Sequence, residues 1–166
     1  MATLQRIAAC LWFDGQAEQA ASFYTAVFPN SRIRQVARYP GVGQDIHQHA
    51  EGTVMTVDFE LDGTPFTALN GGPNFRFTEA VSFQIMCESQ QEIDHYWERL
   101  GEGGDPAAQV CGWLKDKFGL SWQVVPAMLP QMVADYQSEG ARRAFAAMMG
   151  MKKMDIAVLQ RAYDGR

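Results

Sequence analysis

The predicted elements follow the order strand, helix, strand and hairpin, and most of this order occurs twice along the chain. The repetition limits the folds that the chain can adopt. In the first copy, residues 5 to 13 predict a strand, which turns at Asp14-Gly15 into a helix that ends before Pro29. A further strand, SRIRQVARYP, precedes the hairpin TVMTVDFEL-DG-TPFTALNGGP. We therefore predict a βαβββ unit from this half of the chain.

The second copy begins with the strand AVSFQIMCE and the helix SQQEIDHYWERL, whose start carries the capping box Ser89-x-x-Glu92. A shift of 73 residues superposes the two helices. A shift of 53 lays ELDGTPFTALNGGP over WLKDKFGLSWQVVP and ends Pro73 on Pro126. We predict a single domain over residues 1–166 with halves at about 5–73 and 80–126, followed by a helical tail over 127–166.

The bulk properties exclude several classes of partner. The net charge is -5 and the basic residues are scattered, so nucleic acid is not an expected partner. The chain has no apolar run of membrane-spanning length and no signal-peptide cleavage pattern. Three cysteines without C-x-x-C spacing favour a reducing compartment, and we expect a cytoplasmic protein.

The segments CLWFDGQAEQAASFYTAVFPNS, ELDGTPFTALNGG, SFQIMCES and CGWLKDKFGLSWQVVP resemble the vicinal-oxygen-chelate superfamily, which includes glyoxalases, bleomycin-resistance proteins and dioxygenases. Within it they resemble the PhnB-like branch, often labelled 3-demethylubiquinone-9 3-methyltransferase-like. The resemblance implies an α+β fold in which two βαβββ modules form one strongly curved, eight-stranded mixed sheet. It also implies a site on the concave face and a homodimer.

In metal-dependent members of that superfamily, histidines and glutamates on the first and last strands of each half hold a divalent cation. The resemblance transfers those positions to Ala9, Asn70, Ser82 and Gln123. A methyl group, a hydroxyl and two carboxamides bring no charge to a cation, so we expect no catalytic metal and no cofactor. With Gln84, these five residues are the candidate ligand site, and the alternative is that the polar groups only satisfy one another.

Two further clusters have chemistry that the sequence leaves open. Asp58 and Glu60 share one face of a predicted strand, where they either act as general acid and base or have a solvated or interface role. His47 and His49 lie in a glycine-bounded loop, for which metal ligation competes with the role of a flexible lid. No catalytic residue follows from the sequence.

The sequence predicts a protein that binds a small polar or aromatic molecule. The alternatives are a metal-dependent lyase, isomerase or dioxygenase of the same fold, a purely structural or sequestering protein, and the methyltransferase that the family label suggests. The last is disfavoured because the turn after the first strand, Asp14-Gly15-Gln16, lacks the glycine-rich S-adenosylmethionine pattern.

Overall fold

The computed structural model describes residues 5–166, and the chain divides into two compact α+β units that meet in sequence at Arg76 and Phe77. The elements of the first unit are β1 (Ala9–Phe13), α1 (Ala17–Val27), β2 (Arg32–Arg38), α2 (Gln44–His47), β3 (Val54–Leu61) and β4 (Thr64–Asn70). Its sheet has the order β1-β4-β3-β2, in which β1 pairs parallel to β4 and the other pairs are antiparallel. The predicted strands and helix of this half are confirmed, but β1 begins at Ala9 rather than at residue 5, and the short helix α2 lies in a segment predicted as a loop.

One face of the first sheet is the core of its unit. Val57, Phe59 and Leu61 alternate along β3 and are at most 5% exposed, as the apolar alternation predicts. The ring of Tyr24, from α1, stacks on Phe59 with centroids 6.4 Å apart. The hairpin turn has positive φ at Asp62 and Gly63, 45° and 77°, as an Asp-Gly type I′ turn requires.

The second unit contains β5 (Ser82–Cys87), α3 (Gln90–Gly101), a 3₁₀ turn (Pro106–Ala108), β6 (Trp113–Lys115), β7 (Ser121–Pro126), α4 (Leu129–Met132), α5 (Glu139–Met149) and α6 (Ile156–Asp164). Its strands have the order β5-β7-β6, with β5 parallel and β6 antiparallel to β7. The Ser89 half of the capping box is confirmed, since Ser89 Oγ accepts from Glu92 N–H at 3.2 Å. The Glu92 carboxylate reaches one residue further back and accepts from Glu88 N–H at 2.6 Å. Among residues 5–166, no helix has the length and apolar character needed to cross a membrane.

The predicted number of strands is too high. Residues 5–166 form seven strands in two sheets of four and three, whereas we expected eight strands in one sheet. Where β2 stands in the first unit, the second has the segment 102–112, with a 3₁₀ turn and a single bridge from Val110 to Trp113. This segment contains Pro106, which lacks an N–H to donate, and several glycines, so it is poorly suited to a ladder.

The tail after Pro126 is helical, as predicted, and it is tied to its own unit. The Gln90 side chain donates to Met154 O at 3.1 Å and accepts from Ile156 N–H at 2.9 Å. The backbone N–H of Gly112 donates to Lys152 O at 2.8 Å. Met154 is 1% exposed, so this methionine is a packing residue of the second unit.

Candidate functional site

Ser82, Gln84 and Gln123 form a hydrogen-bonded row on one face of the second sheet, called here the amide face. Gln84 lies directly beside Gln123 in the parallel pair of β5 and β7. Gln123 Nε2 donates to Ser82 Oγ at 2.8 Å, and Gln84 Nε2 donates to Gln123 Oε1 at 3.3 Å. Three of the five predicted site residues therefore come together on one surface.

The opposite face of this sheet is apolar core. Ile85, Trp122 and Val124 alternate with the row along β5 and β7, and each is at most 9% exposed. They lie on the face that α3 covers with buried Ile93 and Leu100. The helix α3 therefore packs against the apolar face of the sheet and not against the amide face.

Cys87 lies on the apolar face of β5 and is 1% exposed. Burial, and to a lesser extent the nearby Glu92 carboxylate, raises the pKa of its thiol to about 12. A thiol with this pKa is almost entirely protonated at neutral pH, so Cys87 is a packing residue rather than a nucleophile.

Asp116 organises the connection from β6 to β7, and sequence reasoning missed it. Its carboxylate is 2% exposed and accepts hydrogen bonds from the backbone N–H groups of Phe118 and Leu120 and from Trp122 Nε1, at 2.8, 3.1 and 2.8 Å. The signal was an aspartate three residues before Gly119, which has φ of 87°. Asp116 thus fixes the loop that leads into the strand carrying Gln123.

Ala9 and Asn70 lie in the first unit, on the face that packs against α1. Ala9 alternates in phase with buried Leu11 and Phe13, and Phe13 pairs with Asn70. Asn70 is 6% exposed, its Oδ1 accepts from Ala17 N–H at 2.9 Å, and its Nδ2 donates to Val54 O at 3.0 Å. The Asn70 amide is therefore occupied at both ends by the framework of its own unit.

Asp58 and Glu60 lie on the other face of the first sheet, and both carboxylates have partners. Asp58 Oδ1 accepts from Thr67 Oγ1 at 2.7 Å. Glu60 forms ion pairs with Arg32 and Arg34 at 3.0 and 2.9 Å. Glu60 thus joins β3 to β2 through ion pairs. This structural role explains the position of Glu60 without a catalytic one.

A cavity of about 360 Å³ opens beside Asp58 and is also lined by Arg34, Gln35 and Thr67. Cys10 pairs in register with Thr67. Desolvation, with a smaller contribution from the charge of Asp58, raises the pKa of the Cys10 thiol. The Cys10 thiol is therefore harder to ionise, which makes it a poor nucleophile.

His47 is the last residue of the short helix α2 and His49 follows it, and both rings stack on Tyr39. Within the described residues, no three histidine, cysteine or acidic side chains lie close enough to hold a metal ion. The two imidazoles line a cavity of about 600 Å³ in the first unit. Sequence reasoning identified the histidines but missed this cavity, because its other walls are far apart in sequence: Trp12 lies on β1, Leu69 on β4, and Tyr39 directly follows β2.

Residues 5–125 match the model of the 3-demethylubiquinone-9 3-methyltransferase family. A PhnB protein of Bacillus cereus is 37% identical, and the match covers 74% of this chain and 100% of that one with a TM-score of 0.63. A Pseudomonas aeruginosa protein at 20% identity, covering 74% of this chain and 96% of its own, shares the fold with a TM-score of 0.56. No curated protein matches the chain.

Proposed function

The chain belongs to the 3-demethylubiquinone-9 3-methyltransferase family, and on that premise we propose that it is a small-molecule-binding protein whose ligand contacts the amide face. The observation that carries the proposal is the hydrogen-bonded row of Ser82, Gln123 and Gln84. Ala9 and Asn70 are left out of this site because they lie on the helix-covered face of the first sheet.

The row keeps free hydrogen-bonding capacity. A carboxamide donates two hydrogen bonds and accepts two, and a hydroxyl donates one and accepts two. Gln84 is exposed and uses only one of its donors in the row, while Ser82 uses its oxygen as an acceptor. The remaining groups suit a neutral polar ligand that both donates and accepts.

Apolar surface adjoins the row on the same face. Met86, two residues after Gln84, is 47% exposed. Trp113 on β6 pairs in register with Gln123 and is half-buried. A ligand with a polar group and an aromatic or aliphatic part is therefore complementary to this face.

Ligand binding should depend on Gln123. We expect at least one compound from a library of neutral polar aromatics to raise the Tm, and Gln123→Leu to weaken its binding by about tenfold, since the apolar side chain leaves polar groups unpaired. Calorimetric titration of both proteins measures the ratio of their dissociation constants.

Gln131→Leu is the matched control, because Gln131 is an exposed glutamine of α4 in the same unit. It should bind the compound as tightly as the parent protein does. A library without a single stabilising compound would count against ligand binding. If Gln123→Leu bound the compound as tightly as the parent protein does, the compound would bind somewhere other than the amide face.

The proposal includes the absence of a catalytic metal, for which the donor chemistry is the reason. Hydroxyl and carboxamide oxygens carry no net charge to offset the dehydration of a divalent cation. We expect tag-free protein dialysed after incubation with zinc, manganese or nickel to retain less than one ion per chain by elemental analysis. A stoichiometric ion that is lost in Gln123→Ala would favour the metal-dependent enzyme instead.

Methyl transfer, suggested by the family's name, has no support in the fold of either unit. Each sheet mixes parallel and antiparallel pairs, whereas the doubly wound sheets that hold dinucleotides are mostly parallel. The connection Asp14-Gly15-Gln16 after β1 has one glycine rather than a glycine-rich turn. We therefore base the proposal on binding alone.

The homodimer and the cytoplasmic location stay predictions. The resemblance to the vicinal-oxygen-chelate superfamily implies pairing of two chains, and sheet edges are common sites of such pairing. We expect sedimentation equilibrium at micromolar concentration to give twice the chain mass of 18.5 kDa. A mass of one chain would contradict the dimer.

A further inference from the structure

The first unit contains a cavity of about 600 Å³ at the end of β1 and β4, called here the aromatic cavity. It is lined by Trp12, Asp14, Tyr39, His47, His49 and Leu69, together with the backbone around Gly71 and Gly72. This volume lies within the range of small-molecule sites in proteins. The cavity is formed by residues of the first unit, whereas the amide face belongs to the second.

The imidazole rings of His47 and His49 each stack on Tyr39 at this cavity. The rings of Tyr39 and His49 lie 4.2 Å apart with an interplanar angle of 11°, and those of Tyr39 and His47 lie 4.7 Å apart at 27°. Trp12 meets Phe75 edge to face at 4.8 Å. Flat, polarisable surfaces of this kind favour planar aromatic ligands, which bury large areas at small conformational cost.

Hydrogen bonds hold the Tyr39 and His47 rings in place before any ligand arrives. Tyr39 is 8% exposed, and its hydroxyl donates to Asn70 O at 2.6 Å. His47 Nδ1 accepts from His49 N–H at 3.1 Å, so in the neutral ring Nε2 carries the proton and donates to Val42 O at 3.1 Å. Ring positions fixed in this way lower the ordering cost of binding.

Trp12, another lining residue of the cavity, is also held in place. Its Nε1 donates to Gly72 O at 2.8 Å. A Cβ atom at Gly71 would lie only 2.3 Å from the indole ring, so only glycine lets the ring lie this close to the backbone. The indole therefore forms a rigid wall rather than a mobile flap.

The polar groups of the cavity select the charge of the ligand. Within residues 5–166, the Asp14 carboxylate and the His49 ring nitrogens make no hydrogen bond or ion pair. No lysine or arginine is among the described lining residues. The cavity thus offers a free anion and an imidazole but no cation to pair with a carboxylate or phosphate.

We propose that the aromatic cavity is a binding site for a planar heteroaromatic molecule that is neutral or cationic and carries an N–H donor. The ring of the ligand packs among the aromatic side chains, and its donor reaches the carboxylate of Asp14 or the imidazole of His49. Anionic aromatics are rejected because, among the described lining residues, Asp14 alone carries a formal charge, and it is negative.

The test uses the full chain and two probes of matched shape, 4-aminoquinoline and quinoline-4-carboxylate. We expect calorimetry to show saturable binding of the amine at one molecule per chain, with the carboxylate at least about tenfold weaker. His49→Ala should weaken binding of the amine about tenfold through the lost stacking surface, and Asp14→Asn about fivefold through the lost charge. His95→Ala, an exposed histidine on α3, should leave the affinity unchanged.

Far-UV circular dichroism of each variant checks that it is folded, and Asp14→Asn keeps the test valid if His49→Ala disturbs its loop. Absence of saturable amine binding up to about 10 mM, or equal affinity for the two probes, overturns the proposal. It is also overturned if folded His49→Ala and Asp14→Asn both bind like the parent. Gln123→Leu should not change the affinity of the amine, which separates this site from the amide face.

Discussion

Asp116→Ala should lower the free energy of unfolding by about 4 kcal/mol, the largest effect expected for a single polar side chain of this protein. The substitution removes the acceptor of three hydrogen bonds, from Phe118 N–H, Leu120 N–H and Trp122 Nε1. All three donors surround a carboxylate that is 2% exposed, so water cannot replace it without opening the loop. Urea denaturation of both proteins measures the difference.

Asp105→Ala is the control for this loss. Asp105 is an exposed aspartate of the same unit that accepts one hydrogen bond, from Ala107 N–H at 2.9 Å. Its removal should cost less than about 1 kcal/mol, as for an ordinary helix cap. If Asp116→Ala costs no more than Asp105→Ala, the Asp116 carboxylate does not organise the loop into β7.

The elements that the sequence predicted correctly are those whose signals are local. The Asp62-Gly63 turn needs only two residues that tolerate positive φ, and the capping box needs only Ser89 and Glu92. Leu120, Trp122 and Val124 are buried as their alternation with Gln123 indicated. Such features depend on neighbouring residues in the sequence, and not on which other segment of the chain packs against them.

The internal repeat could not show on which sheet face Ala9 and Asn70 lie, because the connections between the elements differ in length between the two halves. Three residues, 14–16, separate β1 from α1, but only Glu88 and Ser89 separate β5 from α3. A shift of 73 that superposes the helices is therefore one residue out of phase for the strands. Since side chains alternate, Ala9 falls on the helix-covered face while Ser82 falls on the opposite one.

The same argument applies to the hairpins. The turn between β3 and β4 has two residues, whereas residues 116–120 connect β6 to β7. An ungapped shift of 53 thus lays Asn70 on Gln123 although only Gln123 lies on the face away from its unit's helix. Phe66 and Ala68 precede Asn70 at a spacing of two residues, and this in-phase apolar pattern was the signal that could have placed Asn70 on the core face.

Asn70→Ala should lower the free energy of unfolding by about 3 kcal/mol, since it orphans one buried backbone donor and one acceptor. Asn70 Oδ1 accepts from Ala17 N–H at the first residue of α1. The residue before that helix, Gln16, makes no side-chain capping hydrogen bond, so Asn70 supplies the cap from another strand. Its Nδ2 also ties β4 to Val54 O at the start of β3.

Asn74→Ala is the matched control, because Asn74 is exposed and lies four residues further along the same chain segment. It should change the free energy of unfolding by less than about 0.5 kcal/mol. The decisive comparison is between stability and binding in Asn70→Ala. If this variant were as stable as the parent but lost the compound that binds at Gln123, Asn70 would belong to the ligand site, and its role as the cap of α1 would be refuted.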